Sequence, residues 1–214
     1  MPVFSDRVEA GRRLGTTLLE RRLGRVVVLG VPRGGVVVAS QVASSLSAPL
    51  DVLVVRKLRS PRQPELGVGA VGEGGVRVLN PRALEISGID EATLARLTSA
   101  ALAEVAELAA RYRPTGDRFA ITGRDVVVVD DGIATGGSAR AACLVARAGG
   151  AATVTLAVPV APSTAREELR EAADGFVCLT TPREFLAVGA FYDDFRPITE
   201  EQVVTLLEEA RRGQ

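Results

Sequence analysis

The densest chemistry in the chain lies in one run, Val126-Val127-Val128-Val129-Asp130-Asp131-Gly132-Ile133-Ala134-Thr135-Gly136-Gly137-Ser138. Four β-branched apolar residues in a row predict a strand buried on both faces, and that strand delivers two adjacent carboxylates at its C-terminal end. A glycine-containing turn follows, and then a small-residue helix from Gly136 to Ala148. The N–H groups of Thr135 to Ser138 would open onto the start of that helix, where unpaired donors and the helix dipole favour an anion. The Thr135 and Ser138 hydroxyls add donors, and Gly136 and Gly137 let a phosphate approach the backbone. A ligand with a phosphate at one end and vicinal hydroxyls beside it fits that order, and ribose 5-phosphate is such a ligand. Taken alone, Asp130-Asp131-Gly132 reads equally well as a turn with Thr135 as a helix cap. The ligand reading rests on the whole run.

Two other glycine patterns compete with it. Gly67-Val68-Gly69-Ala70-Val71-Gly72 spells the dinucleotide fingerprint, but Arg62-Gln63-Pro64-Glu65 before it is no strand and Glu73-Gly74-Gly75 after it starts no helix. The strand–turn–helix context that gives the fingerprint its meaning is missing. Gly132 to Ser138 resembles a P-loop only superficially, because no lysine precedes Ser138 and two acids stand before the loop.

The elements around the acidic run alternate between strands and helices. Strands are predicted at Val26–Leu29, Asp51–Val55, Asp125–Asp130, Thr153–Val158 and Phe176–Leu179. Helices are predicted at Val36–Ser47, Asp90–Arg113, Gly136–Ala148, Thr164–Ala173 and Thr199–Arg212; in the second of these, Leu94, Leu97, Ala101, Val105 and Leu108 form one apolar stripe. Arg56 to Gly75 is rich in Pro, Gly and charge. It reads as a long loop with at most a hairpin, for which Val76–Leu79 is the return strand. Repeated βα units predict an α/β fold, a parallel sheet with helices on both faces.

Composition bounds the function classes. In 214 residues, 26 Lys and Arg balance 26 Asp and Glu, so no basic field argues for nucleic acid. Arginine dominates the cations. The absence of histidine removes Ser-His-Asp hydrolysis, Cys-His chemistry and His-ligated zinc proteases together. Cys143 and Cys178 lie far apart within apolar runs and read as small buried hydrophobes, with neither disulfide nor metal-ligand spacing. The segment from Met1 to Asp6 shows no leader pattern, and no apolar run approaches the length of a membrane span. A cytoplasmic location is expected, with neither membrane nor nucleic acid as a partner.

The acidic run resembles the signature of the type I phosphoribosyltransferases: a hydrophobic strand, two acids, two residues, Ala or Asp, then Thr-Gly and a small hydroxyl-bearing end. Gly30-Val31-Pro32-Arg33-Gly34-Gly35 is similar to the short loop with which these enzymes contact the diphosphate. Arg56-Lys57 and the loop to Gly75 lie where they carry a mobile lid with a basic residue at its base. The tail from Phe185 to Phe195 is similar to the base-binding hood of the hypoxanthine-guanine enzymes. The resemblance covers most of Arg25 to Gly150, and more thinly the tail. It implies one domain over residues 1–214, with a core at about 20–180, a flexible lid at 56–75, a helical insertion at about 81–113 and a small C-terminal hood at 181–214.

The resemblance also implies an activity. The donor would be 5-phosphoribosyl-1-diphosphate, and the acceptor a nitrogen nucleophile, a nucleobase or another amine. Asp130 and Asp131 would hold the ribose hydroxyls near the developing positive charge. Arg33, Gly34, Gly35, Arg56 and Lys57 would bind the diphosphate, and Ala134, Thr135, Gly136, Gly137 and Ser138 the 5-phosphate. Lys57 joins the two acids as a catalytic group. Phe185, Val188, Phe191, Tyr192 and Asp193 would form the acceptor hood. Mg²⁺ would arrive with the diphosphate, with no direct protein ligand and with Asp130 and Asp131 reaching it through water. Family members often carry a non-proline cis peptide in the diphosphate loop, which here falls between Pro32 and Arg33. A homodimer is a further implication. The acceptor signals diverge: 6-oxopurine enzymes carry Asp where this chain has Ala134, and no lysine lies between Val177 and Val188. Some relatives keep the phosphoribosyl site as a sensor without catalysis, which is the alternative; a complete lid favours the enzyme.

Overall fold

The computed structural model describes residues 3–21, 23–114 and 118–213; Met1 and Pro2, part of the N-terminal segment read above, lie outside the described residues. Helix α1 (Arg7–Leu19) leads to β1 (Val26–Gly30), α2 (Gly34–Leu46) and β2 (Leu50–Val52). Three further strands follow: β3 (Val55–Arg59), β4 (Gly67–Gly72) and β5 (Arg77–Leu79). Then come α3 (Pro81–Ser87), α4 (Glu91–Tyr112), β6 (Asp125–Val129), α5 (Gly137–Ala148), β7 (Thr153–Val160), α6 (Ala165–Leu169), β8 (Gly175–Thr180) and α7 (Glu200–Arg212).

The main sheet runs β2-β1-β6-β7-β8 with every pair parallel, as the alternating pattern predicts. The unbroken valines of β6 follow from burial on both faces. Val126 and Val128 share a core with Ala142 and Val145 of α5 and Leu169 of α6. Val127 and Val129 point the other way, into a core with Leu14 and Leu18 of α1, Val42 of α2 and Leu207 of α7.

This topology also fixes where a ligand can sit. β1 continues to β2 on one side, whereas β6 continues to β7 and β8 on the other. The two connections leave in opposite directions, so a crevice opens beyond the carboxyl ends of β1 and β6, the usual ligand position in such sheets.

Three segments differ from the sequence expectation. Residues 56–75 are not a long loop: β3, β4 and β5 form an antiparallel sheet of their own, with Leu58, Val68, Ala70 and Val71 buried. Two of the glycines that suggest flexibility, Gly69 and Gly72, are close-approach positions. A Cβ on Gly72 would collide with Val145 of α5, and one on Gly69 with the Val78 carbonyl. The fingerprint-like glycines thus lie inside a strand. Helix α1 is absent from the sequence expectation; its Leu14 and Leu18 pack in the core shared with α2. Asp6 caps it by accepting from the Glu9 N–H at 2.8 Å, and Ala10, Leu14 and Leu18 bury its inner face. The arginines at 7, 12 and 13 dilute that stripe when the sequence is read alone. Helix α6 is also shorter than the Thr164–Ala173 expected.

A buried ionic knot joins the two sheets. Arg113, just past α4, donates through Nε to Asp51 Oδ1 of β2 at 2.6 Å and through a terminal nitrogen to Glu73 Oε2, after β4, at 2.7 Å. Asp51 also accepts from the Phe119 N–H, so neither its charge nor that of Arg113 is left without a partner.

Candidate active site

Two loops flank the crevice, one after β1 and one after β6. The first holds the Pro32–Arg33 peptide in the cis form, as the resemblance implies, and turns into α2 at Gly34. Both glycines of this turn face the acid pair. A Cβ on Gly35 would lie 2.9 Å from Asp130 Oδ1, and one on Gly34 would occupy the space of the Asp131 carboxylate. Glycine is therefore required here by close approach: the loop after β1 and the acids are packed directly on each other.

The acids themselves are not equivalent. Asp131 Oδ2 accepts from Arg7 Nε of α1 at 2.7 Å, and the Asp131 carbonyl accepts from the Tyr192 hydroxyl at 2.6 Å. Asp130 Oδ1 accepts from the Asp131 N–H at 2.9 Å, while its Oδ2 has no hydrogen-bond partner among the described residues. Burial, followed by repulsion from Asp131, pushes the Asp130 carboxyl well above the usual carboxylate range. Burial raises Asp131 as well, and the Arg7 guanidinium opposes it. Two acids with one cation, paired to Asp131 alone, leave the site short of positive charge, which suits a cationic centre or a metal-bearing ligand.

The second loop ends in an open helix start. Gly136, at φ 71°, is the N-cap of α5, and no side chain caps the first turn. Its leading N–H groups are thus available to an anion, with Thr135 and Ser138 exposed beside them and Ala134 exposed before them. Lys57 reaches this start from β3: its Nζ lies 3.1 Å from where a Cβ on Gly137 would be. It is the only lysine among the chain's 26 lysines and arginines. Burial, then the charge of Arg59, lowers its pKa below the ordinary 10.5. Lys57, Thr135 and Gly137 open onto a cavity of about 610 Å³ shared with Arg59, Asn80 and Arg140.

The structure therefore gathers Gly34, Gly35, Asp130 and Asp131 on one side, and Lys57 with Thr135, Gly136, Gly137 and Ser138 on the other. Arg33 is exposed at the α2 N-cap and makes no ion pair among the described residues. Arg56 is not brought in. Successive strand residues face opposite ways, and Arg56 instead pairs with Glu104 of α4 at 3.0 Å.

The tail closes over the acids from above. Val188 Cγ1 would lie 2.5 Å from a Cβ on Gly132, and Phe185 stacks on Phe191 with centroids 5.5 Å apart. Tyr192 is buried against Phe4, with its hydroxyl committed to Asp131, and Asp193 is exposed. Arg7 is the site residue that sequence reasoning missed. A signal for it exists: it continues the buried 10-14-18 face of α1 by one turn, a charge where the period calls for an apolar residue.

Comparison with known proteins agrees with this geometry. A family model described as the phosphoribosyl transferase domain matches residues 7–195, a span that begins at Arg7. "Putative phosphoribosyl transferase Rv0571c" of Mycobacterium tuberculosis is 50% identical over 212 residues, 99% of this chain and 48% of its own length. The chain therefore spans about half of that relative, and the same holds for its counterpart from a second strain. The crystal structure of TT1426 from Thermus thermophilus superposes with a TM-score of 0.90 at 46% identity, covering 98% of this chain and 99% of that one. From the strand-end acids, the open helix start and this match over most of its length, the chain belongs to the phosphoribosyl transferase domain family.

Proposed function

We propose that the protein transfers the phosphoribosyl group of 5-phosphoribosyl-1-diphosphate to a nitrogen acceptor. The observation that carries this reading is the direct packing of Gly34 and Gly35 against Asp130 and Asp131, with Lys57 set over the neighbouring helix start. A donor with a 5-phosphate, two ribose hydroxyls and a diphosphate spans those three features in order.

In this reading the bond from the anomeric carbon to the diphosphate oxygen breaks with its electron pair leaving on diphosphate. The acceptor nitrogen supplies the pair for the new C–N bond and releases its proton. Positive charge that develops at the anomeric carbon lies near the Asp130 carboxylate. The α5 start holds the 5-phosphate still, and Lys57 neutralises phosphate charge. Ala134 offers no group to take the acceptor's proton, so that proton passes to water or to the departing diphosphate. The hood residues Phe185, Val188 and Phe191 form the apolar side of an acceptor site, and a nucleobase is the acceptor they suit.

Mg²⁺ fits the donor set in one way. Carboxylate oxygens suit it, but Asp131 is held by Arg7, and no group of three or more potential ligand residues exists among the described residues. The ion would travel with the diphosphate, neutralising its charge, and meet Asp130 through water. The partners in this reading are small molecules; no described helix is long and apolar enough to cross a membrane.

The test is incubation with donor, Mg²⁺ and a panel of nucleobases and amines, with diphosphate release and product mass as readouts. Acceptor-dependent diphosphate release is the expected result. Donor binding with no turnover of any acceptor would instead establish a sensor.

A further inference from the structure

Lys57 is the only lysine in the chain, and among the described residues it makes no ion pair and no hydrogen bond. Strand β3 holds it opposite Ala70 of β4, with the next residue, Leu58, buried. From there its Nζ reaches the first residue of α5, 3.1 Å from where a Cβ on Gly137 would be. No side chain caps that helix, so an unpartnered amine stands beside open N–H donors. Both line the cavity of about 610 Å³, where Arg59 and Arg140 add positive charge and Glu65 is the one acid. Burial, then Arg59, holds the amine below the ordinary 10.5, so more of it is neutral at neutral pH than of a lysine in water.

Resting on the proposed donor site, we propose that Lys57 is a modification site, acylated by acyl phosphates whose phosphate is held at the α5 start. The neutral Nζ attacks the acyl carbonyl carbon and the N–C bond forms. The bond from that carbon to the phosphate oxygen breaks, with its electron pair leaving on phosphate, and the proton shed by the nitrogen passes to the released phosphate. The products are an amide and inorganic phosphate, with no oxidant or reductant involved. Acyl phosphates suit this place because a single bridging oxygen joins the electrophilic carbon to phosphorus. A phosphate gripped by the helix start therefore presents its acyl carbon within one bond of the anion site, where the amine already stands. The same N–H groups stabilise the departing phosphate, and a neighbouring cation activates a lysine of this kind. The amide carries no charge, so the modified protein loses the group that neutralises phosphate charge in the donor site. Donor affinity is thereby tied to the supply of acyl phosphate.

The experiment incubates wild-type protein with acetyl phosphate alone and follows acetylation of the Lys57 peptide by mass mapping. Nα-acetyl-lysine in the same tube is the reference amine, and the neutral N-hydroxysuccinimide ester of acetic acid is the second reagent. The rate at Lys57 is expected to saturate with acetyl phosphate and to fall when inorganic phosphate or donor is added. The ratio of rates with the two reagents should be at least about tenfold higher at Lys57 than at the reference, a small part of what held reactants can gain. That ratio cancels the intrinsic reactivity of the amine. Acetylated protein should keep its Tm and lose donor affinity, read by calorimetry with Mg²⁺, by at least about tenfold. Acetylation that rises linearly with acetyl phosphate, shows the reference ratio or ignores inorganic phosphate would overturn the inference, and donor binding by the same protein would leave the donor site standing. Saturable acetylation of a protein that binds no donor would instead overturn the donor site and leave a lysine served by an anion cradle of another use.

Discussion

Gly34 and the Asp131 carboxylate claim the same volume: a Cβ on residue 34 would overlap Asp131 Oδ2 and lie 2.8 Å from Arg7 Nε. One hydrogen atom thus lets the loop after β1, the acids after β6 and helix α1 meet at a point. Gly34→Ala is expected to push Asp131 off Arg7. The strain of such overpacking is typically about 1–3 kcal/mol, so the variant should fold with a lowered Tm while donor affinity falls further than stability alone explains. A variant with wild-type donor affinity would show that the carboxylate has somewhere else to go.

Arg56 and Lys57 are neighbours that the strand pleat sends in opposite directions, one to Glu104 and one to Gly137. Arg56→Ala removes an exposed ion pair and should change stability by no more than about 0.5 kcal/mol, with donor affinity unaltered. Lys57→Ala should weaken donor binding by at least about tenfold, the scale of one lost charge-assisted contact. Because Lys57 is the only lysine, amine-directed labelling followed by peptide mass mapping reports on it directly. Its lowered pKa should make it react at lower pH than a free lysine, and donor should protect it. Reversed effects of the two substitutions would place the donor's phosphate on the other face of β3.

How far the site can be read in advance follows from how local its parts are. The β6 strand, the acid pair and the α5 start are contiguous, so their chemistry is legible as one run of residues. The βα alternation reveals the parallel sheet for the same reason, since each unit carries its own period. Arg7 is not recognisable as part of the site, because its partner lies 124 residues away and only the folded sheet brings them together. The small sheet is hidden by composition. Gly72 and Gly69 mark contacts with Val145 of α5 and the Val78 carbonyl of β5, partners that the local sequence does not show, so in sequence they are indistinguishable from a flexible loop.

Asp130 is expected to cost stability. Burial and Asp131 raise its carboxyl above the ordinary 3.8, so the folded protein retains a proton that the unfolded chain has released in the window above that value. Stability must then fall as pH rises through the window, and the ionised form is an unfavourable charge at neutral pH. Asp130→Asn should therefore have a higher Tm than wild type at pH 7, and the difference should shrink once pH drops below about 4. Denaturation scans across pH check this. A variant less stable than wild type at pH 7 would mean that the carboxylate is better solvated than its surroundings suggest.

The segment expected to be a mobile lid is divided by its structure into a paired sheet and an exposed tip. Strands β3, β4 and β5 are hydrogen-bonded to one another, and the Arg113–Asp51–Glu73 knot ties their far end to the main sheet. Residues 61–65 between β3 and β4 are exposed. Ser60 N–H to the Leu66 carbonyl, at 3.0 Å, closes their base. Hydrogen exchange should follow that division: slow throughout the strands with or without donor, and fast at 61–65 until donor and Mg²⁺ slow it. Closure is then a motion of the tip alone, carrying Arg62 over a site already bordered by Lys57. Removing one partner of a buried ion pair typically costs about 3–5 kcal/mol, so Arg113→Met should lower Tm and let β3 to β5 exchange faster than the main sheet. Strands that are unprotected in the free wild-type protein and ordered by donor would show the opposite, a small sheet that forms only around its ligand.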